Sequence, residues 1–229
     1  MKYISIIAAE DKEVLAIKEK MTDIIEDKIY NITIYTGKIK SVNCVLVKSG
    51  VGKVNSARTT QAIIDKFNPS CVINTGSAGA LKDTLKIGDV VVGTSLIQHD
   101  FDVTAFGREK GFIPEVGKEF LPDNKLVEIC EKELESKEIS FSKGTIVSGD
   151  KFISTTSDKN DLGNEFNALC GEMEGASIAQ VCKLCGIPFI VIRSISDELN
   201  GEAKIDFEEF LETASKKCAD IIYNIIEKF

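Results

Sequence analysis

Four short runs, Tyr3–Ala9, Cys71–Thr75, Val90–Thr94 and Phe189–Ser194, are too continuously apolar to face water on either side. Between them lie stretches with apolar residues at helical spacing: Lys12–Met21, Lys53–Phe67, Asn124–Ser136, Gly175–Leu184 and Asp206–Ile226. Tyr30–Thr36 and Cys44–Lys48 read as strands flanking a turn at Gly37, and Ile146–Ser148 as a further strand. Strands apolar on both faces, alternating with amphipathic helices, require a sheet covered on both sides. The expected fold is α/β: a three-layer α/β/α arrangement around a central, mostly parallel, twisted mixed sheet. The 229 residues contain no repeat, low-complexity tract or linker, so residues 1–229 read as a single domain.

Composition removes several function classes. A net charge of -8 with only three arginines (Arg58, Arg108, Arg193) offers no basic face for nucleic acid or acidic lipid. No apolar run reaches the roughly 18 residues that a membrane-spanning helix needs. The first apolar run meets Glu10 and Asp11 too soon for a secretory signal, which makes the cytoplasm the expected compartment. Seven cysteines scattered through apolar segments suit a reducing compartment with buried thiols. Cys182 and Cys185 form one C-x-x-C, but no second pair accompanies it and the sole histidine, His99, is distant. No metal site is therefore expected.

In open α/β sheets, ligands bind beyond the carboxyl ends of the strands. Those ends carry Glu13, Ser49–Gly52, Gly76–Gly79, Gly149–Ile153 and Ser194–Asp197, with Glu172–Glu174 just before a helix. Gly50-Val51-Gly52-Lys53 is not a P-loop: Val54 stands where Ser or Thr is needed, and Val47 replaces the first glycine. It is not a dinucleotide fingerprint either, because the third glycine falls on Asn55. Gly76 and Gly79 suit either a tight strand-to-helix turn or a ligand's close approach to exposed backbone N–H groups. Asp197 follows the apolar Phe189-Ile190-Val191-Ile192, where burial would favour a protonated general acid; a helix cap or a pair with Arg193 is the structural alternative. Glu174 reads as a site acid or as a favourable acid at a helix start. Glu13, in a Lys/Glu-rich helix, looks by itself like a surface residue.

Six collinear motifs carry a resemblance. They are Lys48–Val54, Asn74-Thr75-Gly76-Ser77-Ala78-Gly79, Asp102-Val103-Thr104-Ala105-Phe106-Gly107, Val147-Ser148-Gly149-Asp150, Glu172-Met173-Glu174 and Arg193-Ser194-Ile195-Ser196-Asp197. Together they resemble bacterial 5'-methylthioadenosine/S-adenosylhomocysteine nucleosidases, within the wider purine and uridine phosphorylase superfamily. The resemblance covers essentially the whole chain and implies the nucleoside phosphorylase-like form of the α/β fold.

The resemblance implies hydrolysis of an adenine N-glycosidic bond by acid/base catalysis, with roles in methionine salvage and removal of methyl-cycle products. Glu13 matches the acid that activates water, Asp197 the acid that protonates adenine N7, and Glu174 the acceptor of the ribose hydroxyls, best served when ionised. Ser77, Gly79, Ser196 and Val51 fall in the substrate-binding set. Phe152 and Ile153 match the adenine slot, Met173 the ribose contact, and Phe207 the segment over the 5'-thio group. Val103, Phe106 and Pro114 match a segment that crosses a dimer interface, so a homodimer binding a small nucleoside without metal or cofactor is expected. Asn74 stands where related phosphorylases carry an arginine, and Glu13 would repel phosphate; both favour water over phosphate as the attacking group. The expected substrates are 5'-methylthioadenosine and S-adenosylhomocysteine, with 5'-deoxyadenosine a further candidate. Alternatives on the same fold are an aminodeoxyfutalosine nucleosidase, a phosphate-dependent purine nucleoside phosphorylase, and a non-catalytic nucleoside-binding protein. Glu10 departs from the methionine of many relatives, and Arg108, Lys110 and Phe112 leave the cross-subunit segment open. His99, beside Asp100, reads as structural or as a substrate contact.

Overall fold

A computed structural model describes residues 2–201 and 203–229. Nine strands form one mixed sheet in the order β2-β3-β4-β1-β5-β8-β7-β6-β9. The strands are β1 (Ile4–Ala8), β2 (Thr22–Ile29), β3 (Ile32–Ile39), β4 (Val42–Lys48), β5 (Cys71–Ala80), β6 (Val90–Gln98), β7 (Phe141–Ser148), β8 (Ala168–Glu172) and β9 (Phe189–Asp197). The helices are α1 (Asp11–Lys18), α2 (Lys53–Phe67), α3 (Asn124–Ser136), α4 (Thr156–Glu165), α5 (Gly175–Cys185) and α6 (Ala203–Ile225).

Successive side chains of a strand point to opposite faces, and here each face has its own helices. Ile6, Ile73, Ile190 and Ile192 pack with Val14 and Ile17 of α1, Leu126 and Leu134 of α3, and Ile221 and Ile222 of α6. Ile7, Val72, Val45 and Val191 pack instead with Ile63 of α2 and with Ile178 and Cys182 of α5. The three-layer arrangement expected from the apolar runs is present. Six of the seven cysteines are buried in these layers or beside them, and Cys185 alone is exposed.

Half of the sheet does more than twist. Besides its neighbours β1 and β8, strand β5 pairs in parallel with β9 along almost its whole length. The series β5-β8-β7-β6-β9 thereby closes on itself, a closure that strand periodicity does not encode. The glycine-rich segment is part of this pairing. Strand β5 runs on through Gly76–Ala80, so neither a strand-to-helix turn nor a loop is found there. Gly37 likewise lies inside β3 rather than at a turn. A Cβ there would come 2.7 Å from the Thr22 carbonyl of β2, and the chain reverses later, at Lys40 and Ser41.

Three elements escape a reading by periodicity. Strand β2 is a charged, exposed edge, a composition that discourages pairing with other chains. Strand β8 is only five residues long. Helix α4 is polar but for Leu162, its single large apolar side chain, which is buried. It is nonetheless closely docked, because a Cβ on Gly163 would collide with the Leu81 carbonyl, and Lys82 Nζ donates to the Gly163 carbonyl at 2.8 Å. Gly163→Ala is expected to lower stability by about 1–3 kcal/mol by forcing α4 off this carbonyl. Chemical denaturation checks this; an unchanged midpoint would show that α4 is not seated there.

Candidate active site

One cleft lies beyond the carboxyl ends of the parallel strands. Glu13, Val51, Ser77, Gly79, Phe152, Ile153, Met173, Glu174, Ser196, Asp197 and Phe207 all line it. They come from the starts of α1 and α6, the loops after β4 and β7, and the ends of β5, β8 and β9. Val103 and Phe106 do not line it. Val103 precedes, and Phe106 ends, a short 3-10 turn (Thr104–Phe106), where Phe106 is 84% exposed. His99 is buried away from the cleft, with Gly149 against its ring, and burial lowers its pKa.

Glu13 is no surface acid. It is only 3% exposed, and four donors hold its carboxylate. Oε2 accepts from the Ala9 and Glu10 backbone N–H groups at 2.9 and 3.0 Å. Oε1 accepts from the Ser77 N–H at 3.0 Å and the Ser77 hydroxyl at 3.4 Å. Burial raises its pKa above the ordinary 4.5, against the pull of Arg193 and the backbone donors. A buried carboxylate with raised proton affinity is suited to accept a proton near neutral pH.

The glycines of β5 explain how such groups fit. A Cβ on Gly76 would stand 2.5 Å from Glu13 Oε1 and 2.6 Å from Arg193 Nη1. One on Gly79 would stand 2.8 Å from Asp197 Oδ2. Both glycines make room for the protein's own charged side chains, a role that neither sequence reading of this segment anticipates. The β5–β9 register shifts between Ala78 and Gly79, leaving Ser196 as the extra residue of a bulge that re-aims Asp197. The Ser196 hydroxyl lies 3.0 Å from Asp197 Oδ1 and 3.3 Å from the Ala78 carbonyl.

Asp197 is buried, as its apolar strand implies, but its partner is not Arg193. Lys159 of α4, itself 1% exposed, places Nζ 2.6 Å from Asp197 Oδ2. Arg193 instead pairs closely with Glu172, donates to Asn74 Oδ1 at 2.6 Å and lies 3.9 Å from Glu174. Asn74 is buried outside the cleft and also donates to the Ile7 carbonyl at 3.0 Å. Neither Arg58 nor Arg108 reaches the cleft.

Glu174 occupies the cap position of α5, yet its side chain makes no capping bond. Glu172 does that work, accepting from the Glu174 and Gly175 N–H groups at 3.1 and 2.8 Å. Glu174 turns into the cleft and accepts from the Gly52 N–H at 2.9 Å. Burial, reinforced by the charge of Glu172, pushes its pKa up to about 8 despite Arg193 and the Gly52 N–H. Its carboxyl thus has a higher proton affinity than an ordinary glutamate, and Arg193, 3.9 Å away, is the nearby charge that favours the ionised form.

No separate site role for Glu172, Arg193 or Lys159 is legible in the sequence. Glu172 and Arg193 stand inside recognised motifs. Lys159 lies in a polar stretch that offers no signal.

The phosphorylase superfamily model matches residues 3–227. The 5'-methylthioadenosine/S-adenosylhomocysteine nucleosidase of Staphylococcus haemolyticus is 43% identical over 98% of this chain and 99% of its own. A crystal structure of the Neisseria meningitidis nucleosidase of the same name, in complex with methylthio-immucillin-A, superposes with a TM-score of 0.96 at 37% identity, covering 100% of both chains. A Helicobacter pylori futalosine hydrolase also reaches a TM-score of 0.96, at 34% identity, over 100% of this chain and 98% of its own.

The raised pKa of Glu174 has a consequence for stability. Between about 4.5 and about 8 the folded protein keeps a proton that the unfolded chain releases, so stability falls as pH rises through that window. Removing the titration should make Glu174→Gln melt above the parent at pH ~9, with the two converging at pH ~4. Thermal melts at both pH values check this; an equal difference at the two would refute it.

Proposed function

The chain belongs to the phosphorylase superfamily, and on that premise we propose that it hydrolyses the N-glycosidic bond of 5'-methylthioadenosine and S-adenosylhomocysteine. The products are adenine and the 5'-thio-substituted ribose, and 5'-deoxyadenosine is a further substrate. The relatives at 40% identity and above, matched over nearly their whole length, support this reading. It assigns the enzyme to methionine salvage and to removal of methyl-cycle products.

Breaking the bond builds positive charge on the sugar and negative charge on the base. Asp197 protonates N7 as adenine leaves. Glu13, with its raised proton affinity, takes a proton from the water that attacks the sugar carbon. The division of labour parallels that between the two carboxyl groups of an inverting glycosidase. Glu174 receives the ribose hydroxyls, Met173 packs on the ribose, and Ser77 and Gly79 border it. Phe152 and Ile153 hold the base; the rings of Phe152 and Phe207 meet edge to face at 5.7 Å, forming an apolar rim for a thioether. Val51 and Ser196 complete the substrate-binding set.

The distribution of the cations carries the choice of water over phosphate. Arg193 is the only arginine lining the cleft among the described residues, and Glu172, Glu174 and Asn74 surround it. A phosphate dianion would find no uncommitted guanidinium there and would face Glu13. The working form is a cytoplasmic homodimer in which Val103, Phe106 and Pro114 reach the neighbouring subunit's cleft. The exposure of Phe106 supports that arrangement.

Adenine release from 5'-methylthioadenosine is expected to proceed equally in phosphate-free buffer, and recovery of a ribose 1-phosphate would overturn hydrolysis. Asp197→Asn should lower kcat by at least ~10²-fold while the protein stays folded, the scale of losing a general acid. Assays with S-adenosylhomocysteine, 5'-deoxyadenosine and inosine test the base and the 5' substituent. Turnover of inosine alone would refute the adenine assignment.

A further inference from the structure

A fully buried lysine in a polar helix needs a reason. Lys159 Nζ makes two contacts: Asp197 Oδ2 at 2.6 Å and the Glu198 carbonyl at 2.5 Å. No acid of its own helix is bonded to it: Asp158 turns outward to Lys151 at 2.8 Å and Glu165 to Lys110 at 2.9 Å. The Glu198 side chain is likewise directed away, to Lys86 at 3.1 Å. The four buried carboxylates around the cleft have different partners. Glu172 has Arg193, Glu13 has backbone N–H groups, Glu174 has the Gly52 N–H, and Asp197 has Lys159. Helix α4 itself is placed by the close contact of Gly163 with the Leu81 carbonyl.

The geometry points to Lys159 as a positioning residue for the leaving-group acid: it fixes the Asp197 carboxyl and stabilises the carboxylate that proton transfer to the base creates. This rests on the nucleosidase reading above. In that step the bond between the sugar and the base breaks, with its electron pair going to the purine. The Asp197 proton moves to N7, and Asp197 is left as an anion while Lys159 keeps its own protons. Water supplies the hydroxyl to the sugar carbon and its second proton goes to Glu13. The attraction between Lys159 and Asp197 is greatest once the anion has formed, so it favours the transition state over the bound substrate. Tethering the Glu198 carbonyl to the same ammonium also ties α4 to the chain just beyond Asp197.

The test compares two leaving groups in Lys159→Gln, whose amide can still bond to Asp197 and the Glu198 carbonyl but carries no charge, and in Lys159→Arg. One substrate is 5'-methylthioadenosine; the other is a p-nitrophenyl riboside, whose phenolate leaves without a proton. Lys159→Gln should lower kcat for adenine release by ~10²-fold with KM within about 3-fold, as when one preorganised charge partner is lost. Nitrophenolate release should stay within about 3-fold of the parent, since no proton donor is needed, and Lys159→Arg should recover part of the adenine rate. An unchanged adenine rate would overturn the proposal. So would a parallel loss on both substrates in a variant that melts like the parent, and so would an adenine rate in Lys159→Arg no better than in Lys159→Gln. Failure of the parent protein itself to release adenine would instead sink the nucleosidase reading.

Discussion

The parallel pairing of β5 with β9 is the interaction on which the site depends. Its register sets Gly76 opposite Arg193 and Gly79 opposite Asp197, so two positions without side chains face two charged ones. A Cβ at either glycine would fall on a carboxylate oxygen or a guanidinium nitrogen. The same pairing closes the series β5-β8-β7-β6-β9, which brings the ends of β8 and β9 and the loop after β7 to the rim of one cleft. The bulge at Ser196 then turns Asp197 toward α4 rather than along the strand.

Burying four carboxylates around one cleft is costly unless each is satisfied, and the protein satisfies each differently. Glu172 is consumed by Arg193, Ser148 and the first N–H groups of α5, which makes it a structural counter-ion. Glu13 and Glu174 rely mainly on backbone N–H groups, and burial raises the proton affinity of both. Asp197 alone has a lysine. Four carboxyl groups around one cleft thus have four different sets of partners, which lets them take different roles there.

Much of this was legible residue by residue. Helices α2 and α3 have the limits expected from their apolar spacing, because amphipathic periodicity is a local property. The burial of Asp197 followed from the apolar run before it. Glu174 was recognisable as more than a surface acid only with its motif, and Glu13 only through resemblance, since its burial is imposed by Ser77 and the β1–α1 turn. Asn74 stands out in the sequence as a missing arginine, but its role as a buried link between Ile7 and Arg193 has no local signal. Helix α4 and strand β2 were silent, being polar where periodicity needs apolar residues.

The sequence by itself determined the layered α/β architecture, the core faces of the strands and the family, because each depends on patterns within a few residues or on motifs in linear order. Only the tertiary structure decided which charge meets which. Lys159 reaches Asp197 across 38 positions, Ser77 reaches Glu13 across 64, and Arg193 reaches Asn74 across 119. Such pairings are products of sheet register and closure, and no local pattern records them. The raised proton affinities of Glu13 and Glu174 are set by burial and by such distant neighbours, and so belong to the folded chain alone.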